Sequence, residues 1–378
     1  MGLRHALWAV LVLMIGGVET AYAHPSPATI QGAVYHAETS RPLQGVHVFL
    51  AGTTTGTTTD AAGAFSFQTR TRGVHRLYIS KVGYAVEERD LFLTEGTTHT
   101  FHVELTPTIE ALDEVQVKAE RDEDWHDNVA QFEDYFIGPT PRADSVTLLN
   151  PEALQFETRW WGRFRATATE PLQIENRALG YRVRYHLEWF ERRRGRIRWD
   201  GEPFFEPLEP TSSEEADRWK ANRREAFLGS YRHFMLALLY DQIDEEGFAI
   251  HLERRSPSRM RSRPVRRSVD AQQLVEATGD STFTVQFRGT LHVKYHEAPE
   301  SPWFVNWRGG EPYRPRSYQP SRLELEERRV VTDLFGKSVD PHVITVYGHF
   351  AYHRVADALP LGFLPVDYDD SPFPRRTP

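Results

Sequence analysis

From residue 28 to residue 106 apolar and polar positions alternate with a period of two, in short runs broken by Gly, Pro and Thr-Asp turns. Alternation of this kind puts one face of a strand in a core and the other in water. It predicts strands at Thr29–Tyr35, Val46–Ala51, Thr55–Thr59, Ala64–Thr69, His75–Lys81, Ala85–Leu93 and Thr98–Leu105. Seven short strands without a helical stretch between them predict a β-sandwich, with Leu77, Ile79, Phe101, Val103 and Leu105 facing the space between its sheets.

Beyond residue 128 the pattern is mixed. Tyr181, Val183, Tyr185, Leu187 and Trp189 alternate with Arg182, Arg184, His186 and Glu188, which predicts a half-buried strand. Further strands are expected at Arg163–Ala168, Arg196–Trp199, Phe248–Glu253, Phe283–Phe287, Leu291–Tyr295, Leu323–Val331 and His349–Val355, joined into a largely antiparallel sheet. Arg192-Arg193-Arg194-Gly195-Arg196 reads as a hairpin turn. One main helix is expected: Ser212 caps it, Glu215 reaches back to complete a capping box, and Trp219, Ala226, Phe227, Tyr231, Phe234, Met235 and Leu238 form a single stripe that packs on the sheet.

The turns of the first segment carry more specific information. Pro42-Leu43-Gln44-Gly45-Val46 sets a tight turn before a strand, and Thr59-Asp60-Ala61-Ala62-Gly63-Ala64-Phe65 sets another. There Asp60 can accept from the amides just after it, a turn-capping role, since no second carboxylate lies nearby in sequence to make it a metal ligand. Gly83-Tyr84 adds a bend. This ordered set resembles the carboxypeptidase regulatory-like domain, a transthyretin-like sandwich without peptidase residues, over residues 28–106. In Bacteroidetes-type bacteria such domains precede many outer-membrane receptor and envelope proteins. The resemblance implies the transthyretin-like sandwich, and with the pattern read beyond residue 128 the expected fold is mainly β: a seven-stranded immunoglobulin/transthyretin-like sandwich followed by an α+β domain with a largely antiparallel sheet and one main helix. Blocks such as Tyr135-Phe136-Ile137-Gly138 and Gly229-Ser230-Tyr231-Arg232-His233-Phe234 are similar to those of exported proteins with the same first domain and no established activity.

The start of the chain predicts export. Arg4 and His5 precede an apolar run from Ala6 to Val18, and Ala21-Tyr22-Ala23 forms a small-x-small cleavage pattern, so residues 1–23 read as a signal peptide. Residues 24–27 are then a leader, 28–106 the sandwich, 107–127 a linker with an acidic hinge, and 128–378 the α+β domain. Within the linker, Leu112-Asp113-Glu114-Val115-Gln116-Val117-Lys118-Ala119 resembles the segment joining such a domain to the plug of TonB-dependent receptors. It is expected to be a strand, pairing within the protein or with a partner's sheet edge. No later stretch is long and apolar enough for a transmembrane helix, so a periplasmic protein, or one peripheral to the outer membrane, is expected.

Composition narrows the chemistry. With 45 basic and 53 acidic residues the net charge is −8, which argues against a nucleic-acid partner. The absence of cysteine excludes disulfides and thiolate catalysis. A His24 freed by cleavage has the amine and ring of a copper ligand, but Pro25-Ser26-Pro27 reads as a flexible leader, and no cofactor is expected. Neither a His-Glu-x-x-His sequence nor a Gly-x-Ser-x-Gly elbow occurs. His349 and His353 are spaced by four, as are His292 and His296. On a strand that spacing separates two side chains by about 13 Å, too far to share one metal.

Two groups of residues remain as candidate contacts. Arg254, Arg255, Arg259, Arg261, Arg263, Arg266 and Arg267 make a basic loop suited to an anionic partner. Trp303, Trp307 and Tyr313, in a loop-like stretch of Pro and Gly, are candidates for stacking on glycan. Neither group supplies a catalytic residue. The function expected is that of a non-catalytic exported binding or adaptor protein contacting an envelope protein, a glycan or the outer-membrane surface. The alternatives are an envelope hydrolase built in the second domain and an accessory part of TonB-dependent uptake.

Overall fold

A computed structural model describes residues 26–108, 123–159, 162–254, 265–279, 281–309, 314–368 and 373. The expected signal peptide and most of the expected linker, including residues 112–119, lie outside them.

All seven strands expected in the first segment form: β1 (Ala28–His36), β2 (His47–Leu50), β3 (Gly56–Thr58), β4 (Ala64–Thr69), β5 (Gly73–Ser80), β6 (Glu87–Leu93) and β7 (Thr98–Leu105). They make two sheets, β4-β1-β7 and β3-β2-β5-β6. Ile30, Val34, Val48, Leu77, Ile79 and Val103 fill the space between these sheets. Phe101 is only partly buried beside that core. Asp60 caps its turn as expected, its Oδ1 accepting from the amides of Ala62 at 2.8 Å and Ala64 at 2.9 Å. The central strand β1 is antiparallel to β4 but parallel to β7, with partners running from Thr29–Thr98 to His36–Leu105.

The chain resumes as α1 (Glu123–Phe136), so acidic residues expected in a solvated hinge instead open a helix. Glu123 and Asp124 occupy its first turn, where carboxylates meet the free amides and the positive end of the helix dipole. Next come β8 (Val146–Leu148), β9 (Leu154–Arg159), β10 (Arg163–Ala168), β11 (Leu172–Asn176), β12 (Tyr181–Arg193) and β13 (Arg196–Pro207). They form an antiparallel sheet ordered β8-β11-β12-β10-β9, with β13 on the other side of β12. Phe132 and Phe136 of α1 are buried in this sheet's core with Tyr185, Phe190 and Phe205. The β12–β13 turn is the hairpin expected from the arginine run. Arg194 and Gly195 both take positive φ, 52° and 78°, as the two central residues of a two-residue turn between twisted strands require.

The single helix expected from residue 212 is two, α2 (Ser213–Phe227) and α3 (Tyr231–Leu239). Gly229, with φ 70°, breaks the run, and Ser230 caps the second helix by accepting from the His233 amide at 3.1 Å. At α2, Ser212 accepts from the Glu215 amide as expected, but Glu215 reaches back to Thr211, whose amide donates to it at 2.7 Å, rather than to Ser212.

Two further sheets complete the strand framework. One contains β14 (Phe248–Arg254), β15 (Val265–Ser268), β18 (Thr290–Tyr295), β19 (Gln319–Leu325) and β21 (Ile344–Gly348), ordered β15-β14-β18-β19-β21. The other contains β16 (Val275–Gly279), β17 (Thr282–Gln286) and β20 (Arg329–Asp333), ordered β16-β17-β20. The strand expected over Leu323–Val331 is thus two strands in different sheets. The α3 helix, hydrophobic on nearly every side, packs into a core with Phe248, Ile250, Leu291, Val293 and Leu323 from the five-stranded sheet. Residues 123–373 therefore hold two cores, mainly β in framework.

Two short helices complete this part: α4 (Pro302–Arg308) and α5 (His349–Tyr352). Neither was expected. The stretch around Trp303 and Trp307 is helical rather than loop, and His349 begins a helical turn rather than a strand. Among the described residues no helix is long and apolar enough to cross a membrane.

The sandwich sits against the second part through backbone and rings. The Gly52 amide donates to the Pro203 carbonyl, and the Leu361 amide to the Gly52 carbonyl, both at 2.8 Å. Phe49 and Tyr78 close on Phe204 in a small buried cluster. His47 and His186 stack beside it with ring centroids 6.3 Å apart.

Candidate functional site

The five-stranded sheet has an apolar face and a polar one. Along β18, Leu291, Val293 and Tyr295 enter the core while His292 and Lys294 point the other way, and along β19 Leu323 goes in and Arg322 out. Register then sorts the outward residues into ranks. Ser268, His251, His292, Arg322 and Tyr347 are direct partners across all five strands. Four strand spacings make this rank about 19 Å wide.

Over the rank lies a cleft of about 1070 Å³. Its floor is the outer face of the sheet. Its walls are the tip of the β12–β13 hairpin, including Arg196, Arg198 and Trp199, and α4 with the chain after it, including Trp307, Arg308, Arg316 and Tyr318. Eight Arg and Lys side chains line the cleft, and among the described residues no Asp or Glu does.

Most of these cations are held by carboxylates just outside the lining. Arg266 donates to Glu253 at 2.7 Å. Arg198 and Arg196 share Glu326, while Arg308 and Arg316 lie 3.6 and 3.8 Å from the buried Glu300. Lys294 and Arg322 differ. Among the described residues neither has a carboxylate within ion-pair distance, and each lies 5.0 Å from the centroid of a tyrosine ring, Lys294 over Tyr318 and Arg322 over Tyr347. A cation held over a ring keeps its outward N–H groups available.

The neighbouring histidine is tuned to stay neutral. His292 Nε2 lies 3.0 Å from Glu253 Oε2, and with a neutral ring the Nε2–H donates there. Burial first, and the Arg266 guanidinium second, hold its pKa below the ordinary imidazole value. The hydrogen bond from Arg266 holds the Glu253 carboxyl below its usual range. The floor therefore presents fixed positive charge beside an imidazole, that of His292, whose charged form burial disfavours.

The expected site residues divide on this surface. Arg266 and Trp307, assigned to separate candidate groups in sequence, line the same cleft. Arg267 alternates to the other face of its strand and is exposed. Trp303 is 60% exposed and lines a second cavity on the other side of α4, while Trp307 is 39% exposed. Arg254 ends β14, and Arg255, Arg259, Arg261, Arg263 and Tyr313 lie outside the described residues. Lys294, Arg322, Tyr318 and Tyr347 went unnoticed in sequence. Their signal was the alternation of Leu291, Val293 and Tyr295 with His292 and Lys294, which marks an outward face as clearly as it marks a core.

The histidines also require a correction. His349 and His353, expected about 13 Å apart on a strand, lie on and just after α5 with ring centroids 5.2 Å apart. Helical winding brings residues four apart onto one face. Even so, among the described residues no group of three His, Asp or Glu is placed to hold a metal ion.

Known proteins resemble this chain only in part. No curated protein matches it. Two solved structures overlap it partially. One, from Bacteroides uniformis, is a protein whose name proposes carbohydrate binding; it shares 9% identity over 40% of this chain and 54% of its own, with a TM-score of 0.18. The other, from Bacteroides fragilis, is a protein whose name proposes membrane association and gives its function as unknown; it shares 14% identity over 43% of this chain and 66% of its own, also with a TM-score of 0.18. Overlap at this level transfers neither ligand nor location. Residues 30–117, by contrast, match the model of one family, and the sandwich that opens this chain is a CarboxypepD_reg-like domain.

Proposed function

We propose that this protein is a non-catalytic binding protein of the cell envelope, and that it holds an acidic glycan along the cleft over the five-stranded sheet. The observation that carries this reading is the pair Lys294 and Arg322, placed diagonally on the neighbouring strands β18 and β19 over tyrosine rings, with no carboxylate of their own among the described residues. Cations left without internal partners attract carboxylates or sulfates, and the rings of Trp307, Tyr318 and Tyr347 offer flat apolar surface to sugar faces. Hydrolysis of a glycosidic bond ordinarily uses two facing carboxyl groups. Among the described residues the cleft lining holds cations and rings and no carboxyl group, which supports binding over the hydrolase alternative. Export, with peripheral association at the outer membrane, is the location we assign from the amino-terminal apolar run and the small-x-small pattern.

The test compares retention of the protein on immobilised polygalacturonate and chondroitin sulfate with retention on neutral dextran. Retention on an acidic polymer that weakens as salt rises is expected, because exposed charges are screened within about 10 Å at 0.1 M salt. A double variant, Lys294→Ser with Arg322→Ser, should lose at least tenfold in affinity. Equal retention of variant and parent would refute the site, and release of new reducing ends would move the protein to the hydrolase reading.

A further inference from the structure

The second cavity, about 590 Å³, opens on the opposite side of α4, with Ser301 and Trp303 at its edge and His353 shared with the cleft. Its chemistry is the reverse of the cleft's. The charged groups that line it are already paired: Arg142 with Asp357 and Glu225, Arg177 with Glu175, Arg218 with Glu215. Thr140, Asn222 and Ser301 are hydrogen-bonded too, but four other neutral polar side chains are left with unpaired atoms. Both ring nitrogens of His349, Nδ1 of His353, the hydroxyl of Tyr352 and Oε1 of Gln319 are buried without a hydrogen-bond partner among the described residues. Buried polar atoms are almost always satisfied, so four unsatisfied side chains around one cavity mark a place where something else supplies the bonds.

The residues also constrain what that is. His349 is only 5% exposed; burial, with His353 and Arg142 adding to it, pushes its pKa down to about 2, and burial lowers that of His353 as well. The His349 ring is therefore neutral at physiological pH and offers one donor and one acceptor, and burial favours the same neutral form of His353. The Tyr352 hydroxyl offers both as well, and the Gln319 oxygen accepts. An anion could use only the donors of this set. A cation would approach three guanidinium groups. Hydroxyl groups, which donate and accept at once, match it throughout. At the rim stands Trp303, 60% exposed, as a stacking surface.

From this arrangement we infer that the cavity bounded by His349, Tyr352, His353, Gln319 and Trp303 is a second binding site, selective for a neutral sugar unit and separate from the cationic cleft. This site stands on its own whether or not the cleft binds an acidic polymer. Because His353 borders both spaces, a glycan carrying acidic and neutral units could occupy the two together.

The test uses the full chain with D-glucose, D-galactose, D-mannose and N-acetyl-D-glucosamine as probes, read by saturation-transfer NMR on the sugar and by tryptophan fluorescence. At least one sugar should bind at millimolar concentration and change the fluorescence. His349→Phe should weaken that binding at least tenfold. Tyr352→Phe, which removes one oxygen and keeps the ring, should weaken it at least threefold even if the first variant folds poorly. Lys294→Ser with Arg322→Ser should leave it unchanged, which separates this site from the cleft. Binding by none of the four sugars, binding unaffected in both the His349 and Tyr352 variants, or a His349-dependent uptake of Zn²⁺ or Cu²⁺ that excludes sugar would each overturn the assignment.

Discussion

Asp357 shows how much of this molecule rests on single side chains. It comes from the segment after α5, accepts from Arg142 Nε at 2.6 Å and from the Thr140 hydroxyl at 3.0 Å, and has a side chain only 2% exposed. Beside it the Ala356 amide donates to the Ile137 carbonyl, and Asn176 donates to the Ala356 carbonyl, both at 2.9 Å. Replacing Asp357 with Ala would leave Arg142 poorly compensated in a nearly closed site, so a loss of about 3–5 kcal/mol is expected in denaturant unfolding. Thr140→Val removes one neutral bond and should cost about 1 kcal/mol. Gly229 makes a second test. A Cβ there would lie 2.5 Å from Gln319 Oε1 and 2.7 Å from the Tyr295 ring, on a backbone at φ 70°. Gly229→Ala should destabilise by about 2–3 kcal/mol, from left-handed strain and overpacking together.

At the scale of elements, the stacked His47 of β2 and His186 of β12 make the contact between the sandwich and the second part sensitive to acid. Burial, with Arg184 adding to it, lowers His47 to about 4, while burial, then His47 and Arg184, lower His186 to about 3. Both folded values lie below the ordinary 6.5, so their contribution to stability is whole above that pH and is lost as pH falls from 6.5 toward the folded values. Each histidine contributes a slope of about 1.4 kcal/mol per pH unit in that window. Thermal or denaturant unfolding between pH 7 and pH 5 should register the loss, and His186→Phe should shrink the slope by roughly one histidine's share. An unchanged slope would show that other buried histidines dominate.

The elements also show what could be read from sequence. The seven strands of the sandwich were legible because most of them alternate and turn residues punctuate the segment, even though β2 buries three residues in a row and β3 is only Gly-Thr-Thr. The β12–β13 hairpin was legible because Arg194-Gly195 sits between two alternating runs. The α2–α3 break was not, since the apolar stripe continues across it and only Gly229-Ser230 interrupts the backbone. His349 to Tyr352 misled for a related reason: a single turn of helix is shorter than the window in which period 3.6 can be told from period 2. Trp303 and Trp307 were read as loop because Pro and Gly flank them, yet Pro302 stands within the first turn of α4, a position it favours, and Gly309 comes directly after the last.

For the molecule as a whole, the cleft was illegible because its parts come from many separated stretches: the hairpin tip near residue 195, strands β14, β15, β18, β19 and β21, α4 with the chain after it, His342, and α5 with the residues that follow. Alternation says that Lys294 and Arg322 face outward but not what stands across from them; that depends on how the two cores of the second part pack. The placement of Arg266 beside Trp307 is likewise a tertiary fact. One expectation at this scale comes from the small apolar cluster of Phe49, Tyr78 and Phe204. Phe204→Ala should cost about 3 kcal/mol and, by loosening the docked sandwich, raise the rate of proteolytic cleavage around residues 51–54. Equal cleavage in variant and parent would show that the backbone bonds at Gly52 suffice.

The parallel pairing of β1 with β7 has a mechanical consequence. Since the two strands run in one direction, the chain enters the sandwich at one pole and leaves it at the other. The module thus holds its two flanking segments apart by roughly the length of a strand, about 30 Å for the nine residues of β1. A pull on those two ends would load the whole β1–β7 ladder in shear, so its bonds would have to fail together rather than unzip one at a time. Stretched between residues 26 and 108, this sandwich should behave as a stiff link whose unfolding force exceeds that measured when it is pulled across its β5–β6 hairpin, where the antiparallel strands can peel apart.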